Sequence, residues 1–185
     1  LIKQMKYLGG KQRLGKHIYP VLKNILSKHK KKYKLDGYLE PFCGSLGVFK
    51  HMTLLEDIET IVANDYHPDL IQLFKDVQSN KFKYPKLITE KQHKDAKKIK
   101  SPSALKAFIG FGMSFGGRYF GVYSQKYLGT KKEDFCKEMV NSLKRLAPLI
   151  QKKNVKFTNT KYQKLNPKNK LIYCDPPYEN TRFPI

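Results

Sequence analysis

An apolar run of strand length, Leu171-Ile172-Tyr173-Cys174, ends abruptly in Asp175-Pro176-Pro177-Tyr178. No other stretch constrains the fold so tightly. A proline lacks the N–H that a sheet ladder needs, and each of the two fixes its own φ and restricts the residue before it. The strand therefore stops at Cys174, and the turn after it is stiff. A carboxylate and a phenol ring are presented at the C-terminal edge of a sheet, which is the edge where open α/β sheets bind their ligands.

The chain upstream can build such a sheet. Tyr38 to Phe49 reads as a short strand entering a turn that contains Gly44, with a helix leaving near Gly47. This is the opening unit of a dinucleotide-type fold, in which glycines let backbone N–H groups approach a cofactor. Thr60-Ile61-Val62-Ala63 reads as a second strand closed by Asn64-Asp65, and Pro68 opens a helix through Leu70, Ile71, Leu73, Phe74 and Val77. Asp65 stands about 20 residues after the glycine turn, where an acid binds ribose hydroxyls; an ordinary helix N-cap is the alternative, but it leaves the upstream glycines unexplained. Val155–Thr158 and Lys170–Cys174 supply a third and a fourth strand. Strands alternating with helices predict an α/β, Rossmann-like fold with a mostly parallel sheet, right-handed crossovers and helices on both faces.

Between these blocks the chain is less explicit. Arg13 to about Ser27 is amphipathic, and Lys28 to Lys34 reads as a basic connector. Gly9-Gly10 makes a tight turn, and Lys11 follows near a helix start, where the dipole does not favour a cation. An ordinary turn with a solvated lysine accounts for this, as does a lysine that meets a ligand anion. Asn80 to Ser103 is lysine-rich surface with some helix, and Ala104 to Phe111 is a buried helix. The run Gly112 to Tyr123 interleaves glycines and aromatics around Arg118. It suits either a nucleic-acid-facing loop or a packed loop whose rings complete a core. Lys131 to Ile150 reads as an amphipathic helix with Phe135, Met139, Val140, Leu143, Leu146 and Ile150 inward and Pro148 ending or kinking it.

Composition narrows the class. With 185 residues and 40% hydrophobic content the chain can bury one core, so a single domain is expected. No stretch is long and apolar enough to span a bilayer, and no signal-peptide segment opens the chain. Three scattered cysteines argue against a disulfide scaffold or a zinc site and for reduced thiols in the cytoplasm. The net charge of +22 favours polyanions, although a generally lysine-rich proteome would give the same bias.

Taken in order, the blocks are Tyr7-x-Gly9-Gly10-Lys11, Glu40-Pro41-Phe42-x-Gly44, a strand-tip Asp65, a long variable insert and Asp175-Pro176-Pro177-Tyr178. This order resembles the Dam-like (D12 class) adenine-N6 DNA methyltransferases, from Lys6 to Tyr178. The resemblance implies methyl transfer from S-adenosylmethionine to adenine N6 of duplex DNA, with S-adenosylhomocysteine as product and no metal, as in restriction–modification enzymes. It implies a cofactor site of Tyr7, Gly9, Gly10, Lys11, Glu40, Phe42, Gly44, Ser45, Gly47, Asp65 and Asp175. Asp175, Pro176, Pro177 and Tyr178 would be catalytic: Asp175 and the Pro176 carbonyl take the target amine, and Tyr178 stacks on the flipped base. Arg118, Tyr119, Tyr123 and Lys126 would face DNA, within a recognition insert at 80–129 of one methyltransferase domain spanning 1–185.

One position departs from the family pattern Phe-x-Gly-x-Gly, because Leu46 stands where the second glycine belongs. Asp at the head of the tetrapeptide leans toward adenine, where Ser leans toward cytosine N4 and Asn toward a protein amide. Those acceptors, RNA adenine, and a DNA-binding remnant without activity are the alternatives. Such sheets carry three more strands after the one bearing the tetrapeptide. The expectation is that the native polypeptide continues past Ile185, or that another subunit covers that edge. The setting expected is a prokaryotic or viral-host cytoplasm, with no membrane partner.

Overall fold

A computed structural model describes residues 5–124, 127–128, 131–132, 134–152 and 154–178. In chain order the elements are α1 (Gly15–Tyr33), β1 (Gly37–Glu40), α2 (Phe49–Met52), β2 (Thr60–Asn64), α3 (Pro68–Gln78), α4 (Glu90–Ala96) and α5 (Ala104–Gly112). They continue with β3 (Tyr127–Leu128), β4 (Lys131–Lys132), α6 (Phe135–Ile150), β5 (Val155–Thr158) and β6 (Lys170–Ile172). The chain divides into two compact units, a sheet unit of residues 10–67 and 148–178 and a helical unit of residues 5–9 and 68–147.

The sheet unit is the predicted parallel sheet. Four strands pair in the order β5-β2-β1-β6, all parallel, with Leu39 opposite both Val62 and Ile172 and Ala63 opposite Phe157. All four residues of β1 are buried, as expected of a strand with neighbours on both sides. The chain runs outward from β1 to β2 and later β5, then returns to β6 on the other side of β1. The reversal between β1 and β6 is a topological switch point, and the loops leaving those two strands flank the crevice there.

Two boundaries differ from the sequence expectation. The basic stretch after Ser27 is helix, not connector: α1 runs to Tyr33 and ends at Lys34, which takes the left-handed conformation. Lysine is a good helix former, and Lys30, Lys31 and Lys32 in the last turn complement the negative end of the helix dipole. At the other boundary α6 starts at Phe135, because Lys131–Lys132 pair with Tyr127–Leu128 as a short antiparallel ladder. Asp134 ends that segment, and its carboxylate accepts the Lys137 N–H at 2.9 Å.

In the helical unit α3 buries Leu70, Ile71, Leu73, Phe74 and Val77, the five residues its periodicity nominates, and packs against α5. The lysine-rich stretch before α5 holds α4, opened by a reciprocal Thr89–Gln92 capping box. Asp69 is buried at the head of α3 and accepts from Ser101 Oγ (2.9 Å), the Ser103 N–H (2.7 Å) and Tyr119 Oη (2.6 Å). The described residues of the expected recognition insert, 80–129, lie within this unit. No helix of the described residues is long and apolar enough to cross a membrane.

Candidate active site

Strand β1 delivers the chain into the turn 41–48, and that turn is braced on two sides. The Cys43 N–H donates to the Asn64 carbonyl at 2.8 Å, and the Gly44 N–H donates to Asp65 Oδ2 at 2.9 Å. Gly44 and Leu46 both sit at positive φ, +44° and +61°. Leu46 therefore takes the left-handed conformation that a glycine would supply at that place, and its side chain is completely buried. Gly47 is required for a different reason. A Cβ there would lie 2.7 Å from the Lys11 carbonyl carbon and 2.8 Å from the Gln12 nitrogen. The segment carrying Lys11 lies directly on the turn, and the Gln12 amide donates to Ser45 Oγ.

Asp65 combines the two roles the sequence left open. Its Oδ1 accepts the His67 N–H at 3.0 Å while Oδ2 holds Gly44, so one carboxylate closes its own turn and braces the glycine turn. Burial pushes its pKa up against the lowering effect of those backbone hydrogen bonds. Asn64, which the sequence reading passed over, does as much. Its amide donates to the carbonyls of Pro41 and Thr160 at 3.0 Å each and accepts from Thr158 Oγ1 (2.9 Å) and the Thr160 N–H (3.1 Å). All four hydrogen-bonding positions are used, which ties the ends of β1, β2 and β5 together. Its only sequence signal was an amide at the tip of a strand.

From β6 the chain continues through Tyr173, whose N–H donates to the Leu39 carbonyl at 3.0 Å, into Asp175-Pro176-Pro177-Tyr178. Asp175 meets Lys11, Nζ to Oδ2 at 2.7 Å. The Tyr178 hydroxyl points at Asp175 Oδ1 from 3.4 Å, and Lys11 Nζ lies 5.2 Å from the centre of the Tyr178 ring. The ring is 59% exposed, so a face remains open to a ligand. Burial alone would lower the Lys11 pKa, but hydrogen bonds with Asp175 and Tyr178 outweigh it and the net shift is upward. Lys11 thus stays cationic beside Asp175.

Glu40 is the third carboxyl of this edge. It is 2% exposed at the end of β1, and Tyr38 Oη donates to its Oε1 at 2.5 Å. Burial and the negative charge of Asp175, against the lowering effect of the Tyr38 bond, push its pKa up to about 8.

Tyr7 and Gly9 belong to the helical unit, the Tyr7 ring 5.1 Å from that of Phe111, while Gly10 opens the sheet unit. Phe42 is half-buried, with the exposed ring of Tyr162 5.4 Å away. Tyr119 and Tyr123 turn inward: Tyr119 packs on Phe111 and bonds Asp69, and Tyr123 Oη donates to the Ile88 carbonyl at 2.7 Å. For these two rings the packed-loop reading holds. Arg118 is exposed, with Phe115 (74%) and Val122 (80%) on the same loop, and Lys126 lies outside the described residues. The Phe115 N–H bonds the Val122 carbonyl at 2.8 Å, so these two apolar side chains, which sequence reasoning missed, leave neighbouring backbone. Among the described residues no group of His, Cys, Asp and Glu could hold a metal ion.

Compared with known proteins, residues 7–105, more than half of the chain, match the family model of the D12 class N6 adenine-specific DNA methyltransferases. No curated protein matches it. The matched segment contains Lys11, the β1 turn and Asp65 and ends before the tetrapeptide. The Lys11–Asp175 ion pair therefore joins the matched and unmatched parts of the site.

Proposed function

The chain belongs to the D12 class N6 adenine-specific DNA methyltransferases, and on that premise we propose that it transfers a methyl group from S-adenosylmethionine to N6 of an adenine turned out of duplex DNA. The observation that carries this is the ion pair of Lys11 with Asp175, which couples the family's N-terminal motif to an Asp-Pro-Pro-Tyr at the topological switch point.

The residues fit that chemistry. An exocyclic adenine amine is a poor nucleophile because its lone pair is delocalised into the ring. Asp175 and the Pro176 carbonyl supply two acceptors for its N–H bonds. Two bonds of that kind favour a tetrahedral nitrogen with a localised pair. Lys11 orients the Asp175 carboxyl through their ion pair, and the rigid Pro-Pro turn holds both acceptors in place, so the catalytic contribution is mainly one of position. Tyr178 offers an exposed ring that offsets part of the cost of unstacking the base.

The cofactor, when bound, supplies a strongly electrophilic sulfonium methyl. Glu40, Asp65 and Asp175 place three carboxyl groups along this edge beside Lys11, which offer acceptors to the polar and positively charged groups of the donor. The left-handed turn at Gly44, Asp65 behind it, Ser45, Gly47 and the Phe42 ring would hold the rest of the molecule. The net charge of +22 and the exposed Phe115, Arg118 and Val122 suit a DNA duplex. Incubation of the protein with duplex DNA and S-adenosylmethionine, followed by nucleoside mass spectrometry, is expected to yield N6-methyladenine. N4-methylcytosine alone, or methylation of RNA but not of DNA, would refute the assignment.

A further inference from the structure

Among the described residues no cation pairs with the buried carboxyl of Glu40. Its only hydrogen-bond partner among the described residues is Tyr38 Oη, two residues back on the same face of β1. The lysine of the site, Lys11, pairs with Asp175. The other titratable groups that act on Glu40 or are acted on by it are Tyr38 and Cys43 from the β1 segment, and Tyr173 and Asp175 from the end of β6. All of these are neutral or negative when they titrate. A carboxylate in such surroundings has lost its hydration and gained no positive partner among the described residues, so the protonated acid is the stable form of the empty site.

We infer that Glu40 is a proton-linked counter-charge for the sulfonium of the methyl donor: it holds a proton in the free protein, releases it when the donor binds, and takes one up again when the donor has become a neutral thioether. This rests on the cofactor reading above. The sulfonium is singled out because the donor's amino-acid end is a zwitterion with no net charge. Glu40 also interacts with Asp175, the residue placed at the amine being methylated. Burial pushes the Glu40 pKa up to about 8, so the release falls in the neutral range. Donor affinity should therefore rise with pH, by up to about tenfold per pH unit when one whole proton is released. Product affinity should lack that rise, and the site would discriminate against its own product more strongly as pH increases.

Calorimetric titration of the protein with S-adenosylmethionine and, separately, with S-adenosylhomocysteine between pH 6 and 9 tests this. Each titration is repeated with Glu40→Gln, which keeps the shape and the Tyr38 bond of the protonated acid. The difference between wild type and variant is the quantity to read, because the ligand's own amino group titrates in the same range. The expected result is a steep rise of donor affinity with pH in the wild type, a flatter one in Glu40→Gln, and little difference between the two proteins for the product. Tyr38→Phe removes a bond that favours the carboxylate and should move the wild-type rise to higher pH. Equal slopes in wild type and Glu40→Gln would overturn the inference, and so would the same slope for donor and product. Failure of the wild type to bind the donor at any pH would instead overturn the cofactor reading beneath it. Urea unfolding of the ligand-free proteins reads the proton independently. Wild type should lose stability relative to Glu40→Gln as pH rises from 5 toward 8, and parallel curves would refute a protonated Glu40.

Discussion

Leu46 offers the sharpest test of the site's architecture, because two opposed effects meet in one residue. It is fully buried, and it holds φ at +61°, a conformation that costs an L-residue about 1–2 kcal/mol. Leu46→Ala removes most of the buried side chain and keeps the strain, so it should destabilise the protein by about 2–5 kcal/mol. Leu46→Gly removes one further methyl, worth about 0.8 kcal/mol, and adds unfolded-chain freedom worth about 0.5–1 kcal/mol. It also recovers the strain, about 1–2 kcal/mol. The two variants should therefore come out nearly equal in stability. At an ordinary helix or strand position glycine falls about 0.5–1 kcal/mol below alanine before any lost packing. Urea unfolding followed by circular dichroism, with matching m-values, gives the comparison directly. A glycine variant less stable than the alanine variant by about 1.5 kcal/mol or more would refute a strained left-handed turn at Leu46.

Further outcomes follow from the same contacts. Gly47→Ala places a Cβ against the Lys11 backbone and should lower methyl transfer at least about tenfold by moving Lys11 from Asp175, with a stability loss of about 1–3 kcal/mol; unchanged transfer in steady-state assays would refute the close approach. Asp175→Ala should abolish transfer while salt-dependent DNA binding persists, as read by nucleoside mass spectrometry and by fluorescence anisotropy. Asp69→Ala leaves the part-buried Tyr119 hydroxyl and Ser103 N–H without their acceptor and should cost about 1–3 kcal/mol for each in urea unfolding. His93 is buried against Ser114 Oγ (2.9 Å), and burial with Lys97 holds its pKa below the usual value. Its contribution to stability is therefore complete above about pH 6.5 and is lost as pH falls below that. Thermal unfolding from pH 5 to 8 should show that loss in the wild type and a flatter profile in His93→Gln.

Much of the sheet unit could be read before any coordinate was known. Strand identity came from short apolar runs bounded by turn residues, and those signals act over a few residues through local sterics. The α1 boundary was not readable in the same way. A run of lysines is solvated whether helical or extended, so only its tertiary placement and helix-end charge decide it. The Gly112 to Tyr123 run was ambiguous for a related reason. An aromatic ring can stack on a ligand or on its own protein, and only Asp69 and Ile88, distant in sequence, reveal where Tyr119 and Tyr123 point.

The sequence by itself determined the pieces of the site: a stiff turn carrying Asp175 and Tyr178, a glycine turn after β1, and an acid at the tip of β2. Backbone dihedrals and the preferences of proline and glycine are local, and they act wherever the segment ends up. Only the tertiary structure decided that β6 pairs with β1, that Lys11 reaches Asp175, and that Leu46 takes the conformation of a glycine. The first two depend on strand order and on contacts between segments more than a hundred residues apart, and the third on burial that the folded turn imposes, and no local pattern encodes either.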